Sequence, residues 1–169
     1  MLHRGTLYDE LLHVPLIMWG THVPDGVVDD HLVSTVDIVP TILAAARVDP
    51  PNPLAGRNLL PPRRDTAEAL NQATSEFVFA QYGRELYAVR GHRWKLIQRI
   101  ANGHEELYDL DRDPAERHNV IGDEPAVAAE LRSRLAAWRA GLSTQAAPPT
   151  AQLSAEQRNH LEALGYVTE

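Results

Sequence analysis

Six consecutive residues, Val14-Pro-Leu-Ile-Met-Trp19, carry no charge and no polar alternation. A short apolar run of this kind, left through Gly20, reads as a strand buried on both faces; periodicity alone leaves a buried helix segment as the alternative. Such a strand needs neighbours in a sheet with helices packed above and below, and the thirteen residues ahead of Val14 are too few to supply them. The run therefore predicts an α/β sheet most of whose strands come from elsewhere, with this chain as the back part of something larger. Ligands of open α/β sheets sit beyond the carboxyl ends of strands, so the loops flanking this run are where chemistry is expected.

A chain of 169 residues, 44% of them hydrophobic, is large enough for one domain of ordinary size or for a small domain with an arm. No stretch approaches the roughly 18 apolar residues of a membrane span, and the amino terminus lacks a secretory pattern. The net charge of -7 argues against nucleic acid or anionic membranes as partners. The local basic clusters Arg63-Arg64 and Arg90 to Lys95 read as solvated surface. There is no cysteine, which removes disulfides, thiolate metal sites and a cysteine nucleophile, and leaves the compartment open.

In chain order, residues 2–13 predict a turn or two of helix ahead of the apolar run. Pro24-Asp25-Gly26 is a turn signal, because proline presets φ and glycine accepts positive φ. Asp37 reads as the N-cap of a helix with Pro40 in its first turn and Ile38, Ile42 and Leu43 toward a core, stopping near Arg47 ahead of Pro50, Pro51 and Pro53. After a proline-rich connection come four strand candidates, Phe77 to Tyr82, Leu86 to Arg90, Trp94 to Ile100 and Glu106 to Leu110. Gly91-His92 and Asn102-Gly103 are the expected hairpin turns, giving an antiparallel meander. The pattern Lys95-Leu-Ile-Gln leaves the faces unassigned. A helix from Pro125 to about Trp138 sets Val127, Leu131, Leu135 and Trp138 on one side and Glu130, Arg132 and Arg134 on the other, ended by Gly141. Ser154-Ala-Glu-Gln157 has capping-box spacing for a last short helix carrying Leu161 and Leu164.

Generic catalytic patterns are missing. The eight histidines show no paired spacing that would share a metal. Asp109-Leu-Asp-Arg-Asp113 opens like a calcium loop, but Pro114 and Val120 stand where glycine and glutamate are required. Asp29-Asp30-His31 reads as a charged loop. No P-loop, G-x-G-x-x-G or G-x-S-x-G occurs. The feature with chemical content is His3-Arg4-Gly5-Thr6, which puts a guanidinium suited to gripping a tetrahedral oxyanion, with an imidazole beside it, on a glycine-flanked loop.

Five motifs in order resemble the late part of the sulfatase family within the alkaline-phosphatase superfamily. Arg4-Gly-Thr-Leu-Tyr-Asp-Glu with Val14-Pro-Leu-Ile is similar to G-K-G-T-x-Y-E-E and V-P-L-I. Val33-Ser-Thr-Val-Asp37 with Pro40-Thr-Ile-Leu43 is similar to V-S-x-V-D-x-x-P-T-L, and Leu54-Ala-Gly-Arg-Asn-Leu-Leu60 to L-x-G-x-S-L-L. Lys95-Leu-Ile97 and Glu106-Leu-Tyr-Asp-Leu-Asp-Arg-Asp-Pro-Ala-Glu-Arg-His-Asn119 resemble K-L-I and E-L-Y-D-L-x-x-D-P-x-E-x-x-N. The ending Leu153-Ser-Ala-Glu-Gln-Arg to Leu161-Glu-Ala-Leu-Gly-Tyr-Val167 is also common in these enzymes.

The resemblance implies an α/β fold: residues 1–60 complete the edge of an alkaline-phosphatase-like catalytic sheet domain, 61–75 link, and 76–141 form a small α+β subdomain of a four-stranded antiparallel sheet plus helix. Residues 142–169 are then a linker and a short helix. It implies hydrolysis of a small-molecule or carbohydrate sulfate ester by a complete protein, with Arg4 in the place of the family's sulfate-binding lysine and His3 beside it. Calcium and a formylglycine made from C/S-x-P-x-R are expected in a missing amino-terminal portion, since none of the five serines heads such a motif. The chain alone is expected to be inactive. A phosphate-ester or phosphonate hydrolase of the same superfamily and a free-standing interaction module are the competing readings.

Overall fold

The computed structural model describes residues 5–20, 23, 26–50, 52, 54–60, 75–143, 154 and 157. The predicted meander is present: β1 (Val78–Tyr82), β2 (Leu86–Arg90), β3 (Trp94–Arg99) and β4 (His104–Asp109) form one antiparallel sheet in sequence order. Registers run Tyr82 opposite Leu86, Arg90 opposite Lys95 and Arg99 opposite His104. At the β3–β4 turn Gly103 takes φ 67°, which only glycine adopts without strain, and Asn102 Oδ1 accepts the His104 N–H at 3.1 Å. The β2–β3 turn lies one residue later than predicted. Gly91 N–H donates to the Trp94 carbonyl at 2.9 Å, so His92-Arg93 make the bend. Gly91 has another role: a Cβ there would meet the Phe77 ring at 3.1 Å.

Strand alternation sorts side chains to two covered faces, which is why the sequence shows no polar side. Val89, Leu96 and Leu107 pack under Ala128, Leu131 and Leu135 of a long helix, flanked by Phe79 and Trp138 with their rings stacked at 5.0 Å. Leu86, Ala88, Ile97, Tyr108 and Leu110 pack on the opposite face against Leu7, Tyr8 and Leu12. Residues 8–13 hold a single helical turn, α1 (Asp9–Leu12), so the amino-terminal segment serves as the sheet's second cover.

A separate knot of hydrogen bonds joins residues 32–60. Helix α2 (Ile38–Ala46) is preceded by a 3-10 turn, Thr35–Asp37, and ends with Arg47 at φ 56°. Asp37 occupies the predicted N-cap position of α2, but its side chain makes no cap bond to that helix. It sits buried at the end of the 3-10 turn, where its carboxylate accepts the Ser34 N–H at 2.9 Å and the Arg57 N–H at 3.0 Å, and Ser34 caps that turn. Thr41 Oγ1 donates to the Asp37 carbonyl at 2.6 Å and accepts the Leu59 N–H at 3.0 Å. Backbones touch at Gly56, where a Cβ would collide with the Val36 carbonyl. The inward residue of α2 is Thr41. Ile42, expected in the core, is 60% exposed.

Helix α3 (Pro125–Ser143) runs through Gly141, two residues past the expected stop. Its polar side is engaged as well: Arg132 Nε donates to Glu105 Oε2 on β4 at 2.7 Å, and Arg134 lies 3.9 Å over the Phe77 ring. The chain divides into two compact units, Met1–Arg139 and Ala140–Glu169. In the second, Ser154 and Gln157 form the predicted capping box through bonds of 2.9 and 3.2 Å; Leu161 and Leu164 lie outside the described residues.

The buried strand expected at Val14–Trp19 is not formed. These residues are extended without strand pairing, and Val14, Ile17 and Trp19 are 56%, 79% and 86% exposed. A strand exists by pairing its N–H and C=O groups, and among the described residues nothing lies alongside to pair them.

Candidate functional site: an ion cluster beneath the Gly5–Leu12 segment

Lys95, the second residue of β3, is completely buried beside Trp94, Leu96 and Ile97. An ammonium in such a place requires compensation, because transfer of an unpaired charge from water costs several kcal/mol, on the order of what holds a domain folded. Two carboxylates supply it. Lys95 Nζ lies 2.7 Å from Asp9 Oδ1 and 2.6 Å from Glu116 Oε1. Glu116 turns its other oxygen to accept the backbone N–H of Asp9, and Arg90 Nε lies 3.2 Å from Asp9 Oδ2 at an angle outside hydrogen bonding. Arg90 and Lys95, read from sequence as solvated surface, are half-buried and buried instead. They are neighbours across β2 and β3, so their side chains leave the sheet on the same face and meet the same aspartate.

The anion side is built by a turn. Asp113 Oδ2 accepts the N–H groups of Arg117 and His118, both at 2.7 Å, and these bonds hold its carboxyl below the usual range although burial acts the other way. The fold of this turn puts Glu116 at φ 53°, a left-handed value rare for a residue with a side chain, and aims its carboxylate at Lys95. Asn119 then closes the edge of β4: its Oδ1 accepts the Leu107 N–H at 2.9 Å and its Nδ2 donates to the Glu105 carbonyl at 3.1 Å. Every polar residue of Asp113-Pro-Ala-Glu-Arg-His-Asn119 that caught attention in sequence is thus a structural bond. Lys95 has no exposed face from which to act as a base.

Two clefts flank the clamped segment. One, of about 940 Å³, is bordered by Asp9, His13, Arg90, His92, Glu116 and Arg117. The other, of about 290 Å³, is bordered by Gly5, Thr6, Tyr8, Arg99, His104 and Glu106. In the smaller, Tyr8 OH donates to Glu106 Oε2 at 3.0 Å and the His104 ring lies 3.2 Å from Glu106 Oε1. Burial foremost, together with the Glu106 carboxylate, raises the Tyr8 phenol above its ordinary value; Tyr108 behind it is raised too, by burial and by Tyr8. Gly5 borders this cleft under the Tyr82 ring, which fills the space a Cβ would need.

The site residues predicted from sequence, His3 and Arg4, lie outside the described residues; the described chain begins at Gly5. No group of three or more His, Cys, Asp or Glu that could hold a metal occurs among the described residues, and Asp29 is engaged with His31 at 2.6 Å. What sequence reasoning passed over is the Asp9–Lys95–Glu116 cluster. Its signal was present as a lone lysine between apolar residues of a predicted strand.

This cluster joins Tyr8-Asp-Glu10, Trp94-Lys-Leu-Ile97 and Asp113-Pro-Ala-Glu116, three of the segments that carried the resemblance. The family described as N-sulphoglucosamine sulphohydrolase, C-terminal, matches residues 2–141. The chain belongs to the sulfatase family, in its carboxy-terminal part. Human arylsulfatase K is 31% identical over 144 residues, covering 79% of this chain and 27% of its own length. The Delta 4,5-hexuronate-2-O-sulfatase of Bacteroides thetaiotaomicron is 31% identical over 127 residues, covering 70% and 26%. A crystal structure of a candidate sulfatase from Bacteroides thetaiotaomicron VPI-5482 superposes with a TM-score of 0.64 at 28% identity, covering 85% of this chain and 34% of that one. This sulfatase region thus spans about a quarter of the length of the curated relatives it matches.

Proposed function

We propose that this chain forms the carboxy-terminal part of a sulfate-ester hydrolase acting on a sulfated carbohydrate. The observation that carries the reading is the clamp: Asp9, two residues beyond Leu7 in the family segment Arg4-Gly-Thr-Leu-Tyr-Asp-Glu10, is fixed to Lys95 and Glu116. A segment held this way gives the residues just ahead of it a defined origin, which is what a charge aimed at a reacting group needs. On this reading Arg4 grips sulfate oxygens through its planar fork as negative charge builds on them, and His3 borders the same pocket. Residues 1–60 complete the catalytic α/β domain, 61–75 link, and 76–141 form the small sheet-and-helix subdomain.

The residues present do not fit the family's calcium or formylglycine: there is no cysteine, no S-x-P-x-R, and no metal-ligating cluster among the described residues. Both belong, on this proposal, to further polypeptide, and the 169-residue chain alone turns over nothing. The hexuronate sulfatase's name makes a 2-O-sulfated uronate the first substrate to try.

The test is expression in frame with whatever the gene encodes ahead of Met1, assayed on aryl and uronate sulfates and on the matching phosphates. Turnover of sulfate that falls at least about 100-fold in Arg4→Ala is expected. Turnover of phosphate alone, or of sulfate by the isolated chain, overturns the reading.

A further inference from the structure

The β3–β4 turn, Ile100-Ala-Asn-Gly103, carries chemistry that neither the sheet nor the lysine clamp uses. Of the six asparagines, at 52, 58, 71, 102, 119 and 159, only Asn102 is followed by glycine. Proline follows Asn52 and has no N–H, and the side chains of leucine, glutamine, valine and histidine shield the nitrogen after the other four. Asn102 and Gly103 are both exposed, and no heavy atom beyond the adjacent residues lies within 4 Å of the place a Gly103 Cβ would take. The Gly103 N–H and the Asn102 Nδ2 have no hydrogen-bond partner among the described residues. Asn102 Oδ1, in contrast, accepts the His104 N–H at 3.1 Å. That bond draws electrons from the side-chain carbonyl carbon and stabilises the charge that an attacking nucleophile pushes onto the oxygen. Nucleophile and electrophile are neighbours in one short turn, so their encounter is intramolecular.

We infer that Asn102 is a site of spontaneous deamidation in the folded protein, which converts a neutral turn into an acidic one at the rim of the smaller cleft. The Gly103 nitrogen gives its proton to hydroxide and attacks Asn102 Cγ. The new C–N bond closes a succinimide ring, and the carboxamide nitrogen takes a proton from water and leaves as ammonia. A second water opens the ring at either carbonyl, giving aspartate or the β-linked isoaspartate, with nothing oxidised or reduced. Arg99 and His104 stand opposite one another at the foot of the turn and both border the cleft. The new carboxylate therefore arises three residues from a guanidinium that has no ion-pair partner among the described residues. The turn lies outside the strand pairing, so the extra backbone carbon of isoaspartate lengthens it and leaves Arg99 opposite His104. None of these steps depends on sulfate hydrolysis.

The test is storage of the full 169-residue chain at mildly alkaline and mildly acidic pH, with and without urea, followed by tryptic digestion and mass spectrometry. Cleavage after Arg99 and Arg112 isolates Ile100–Arg112, in which Asn102 is the only asparagine. Without urea this peptide should exchange its amide for a carboxyl at least about tenfold faster than any peptide holding another asparagine, a barrier lower by about 1.4 kcal/mol. Conversion should be faster at the alkaline pH, because the attacking nitrogen must lose its proton. Isoaspartate, read by methyl uptake from an isoaspartate O-methyltransferase, should appear beside aspartate. Asn102→Gln, which would have to close a larger ring, should suppress both products, and amide dispersion reports whether that variant is folded. In the converted chain, amide shifts should be confined to the turn and to Arg99 and His104. Conversion in urea alone, aspartate without isoaspartate, equal conversion at the other asparagines, or an unchanged Ile100–Arg112 peptide each overturn the inference.

Discussion

Lys95 shows how a charged residue becomes part of a core. Its ammonium is held by two carboxylates that arrive from residues 9 and 116, and each would be a liability without it. Lys95→Met should lower stability by about 3–5 kcal/mol, read from the urea midpoint, because two acids are left facing each other in an apolar setting. Adding Glu116→Gln and Asp9→Asn to it should recover much of that loss, which separates unpaired charge from lost packing. Glu105 makes a pH prediction. The Arg132 guanidinium is the main cause that holds its carboxyl below the ordinary 4.5, so the folded chain takes up that proton less readily than the unfolded one. Stability from this pair is present above pH 4.5 and disappears as the pH falls through the lower folded value. Arg132→Leu should therefore flatten the acid limb of a stability profile and leave its slope near neutrality unchanged.

At the level of elements, the knot between α2 and residues 54–60 depends on a close approach that only glycine permits. Gly56→Ala would drive a methyl into the Val36 carbonyl and release Arg57 from Asp37. Faster exchange of the Arg57 and Leu59 amides is expected, with the sheet amides unchanged. Leu131→Ala, by contrast, opens a hole between α3 and the sheet and should cost about 2–5 kcal/mol in global unfolding. The strands were readable from sequence to within two residues and α3 from its first residue, because turn residues and helical spacing are local signals, while α3 runs five residues beyond the expected Trp138. The faces were not. A sheet covered on both sides shows no polar stripe, and Lys95 takes its place from partners that stand 86 and 21 residues away in sequence. Asp37 stands at the N-cap position read from sequence, but its carboxylate is spent on Ser34 N–H and on Arg57 N–H, the latter supplied from twenty residues on and not visible as a local signal.

For the molecule as a whole, the exposed apolar residues of Val14–Trp19 and of α2 matter most. Ile17, Trp19, Val28 and Ile42 are each more than half exposed. Apolar surface of this kind drives association, so the isolated chain should self-associate with rising concentration in light scattering. Ile17→Lys combined with Trp19→Lys should reduce it without changing the melting transition, because neither side chain belongs to a packed cluster. The motifs announced the family, yet they named the framework more clearly than the chemistry: the residues best explained by the structure are the ones that hold the chain together, and His3 and Arg4 lie outside the described residues.

The lysine clamp ties residue 9 to residues 95 and 116 without passing through the backbone between them. A covalent break between Leu60 and Ser75 would accordingly leave two polypeptides that still grip one another. Split there and produced as separate pieces, the halves should find each other again in the test tube.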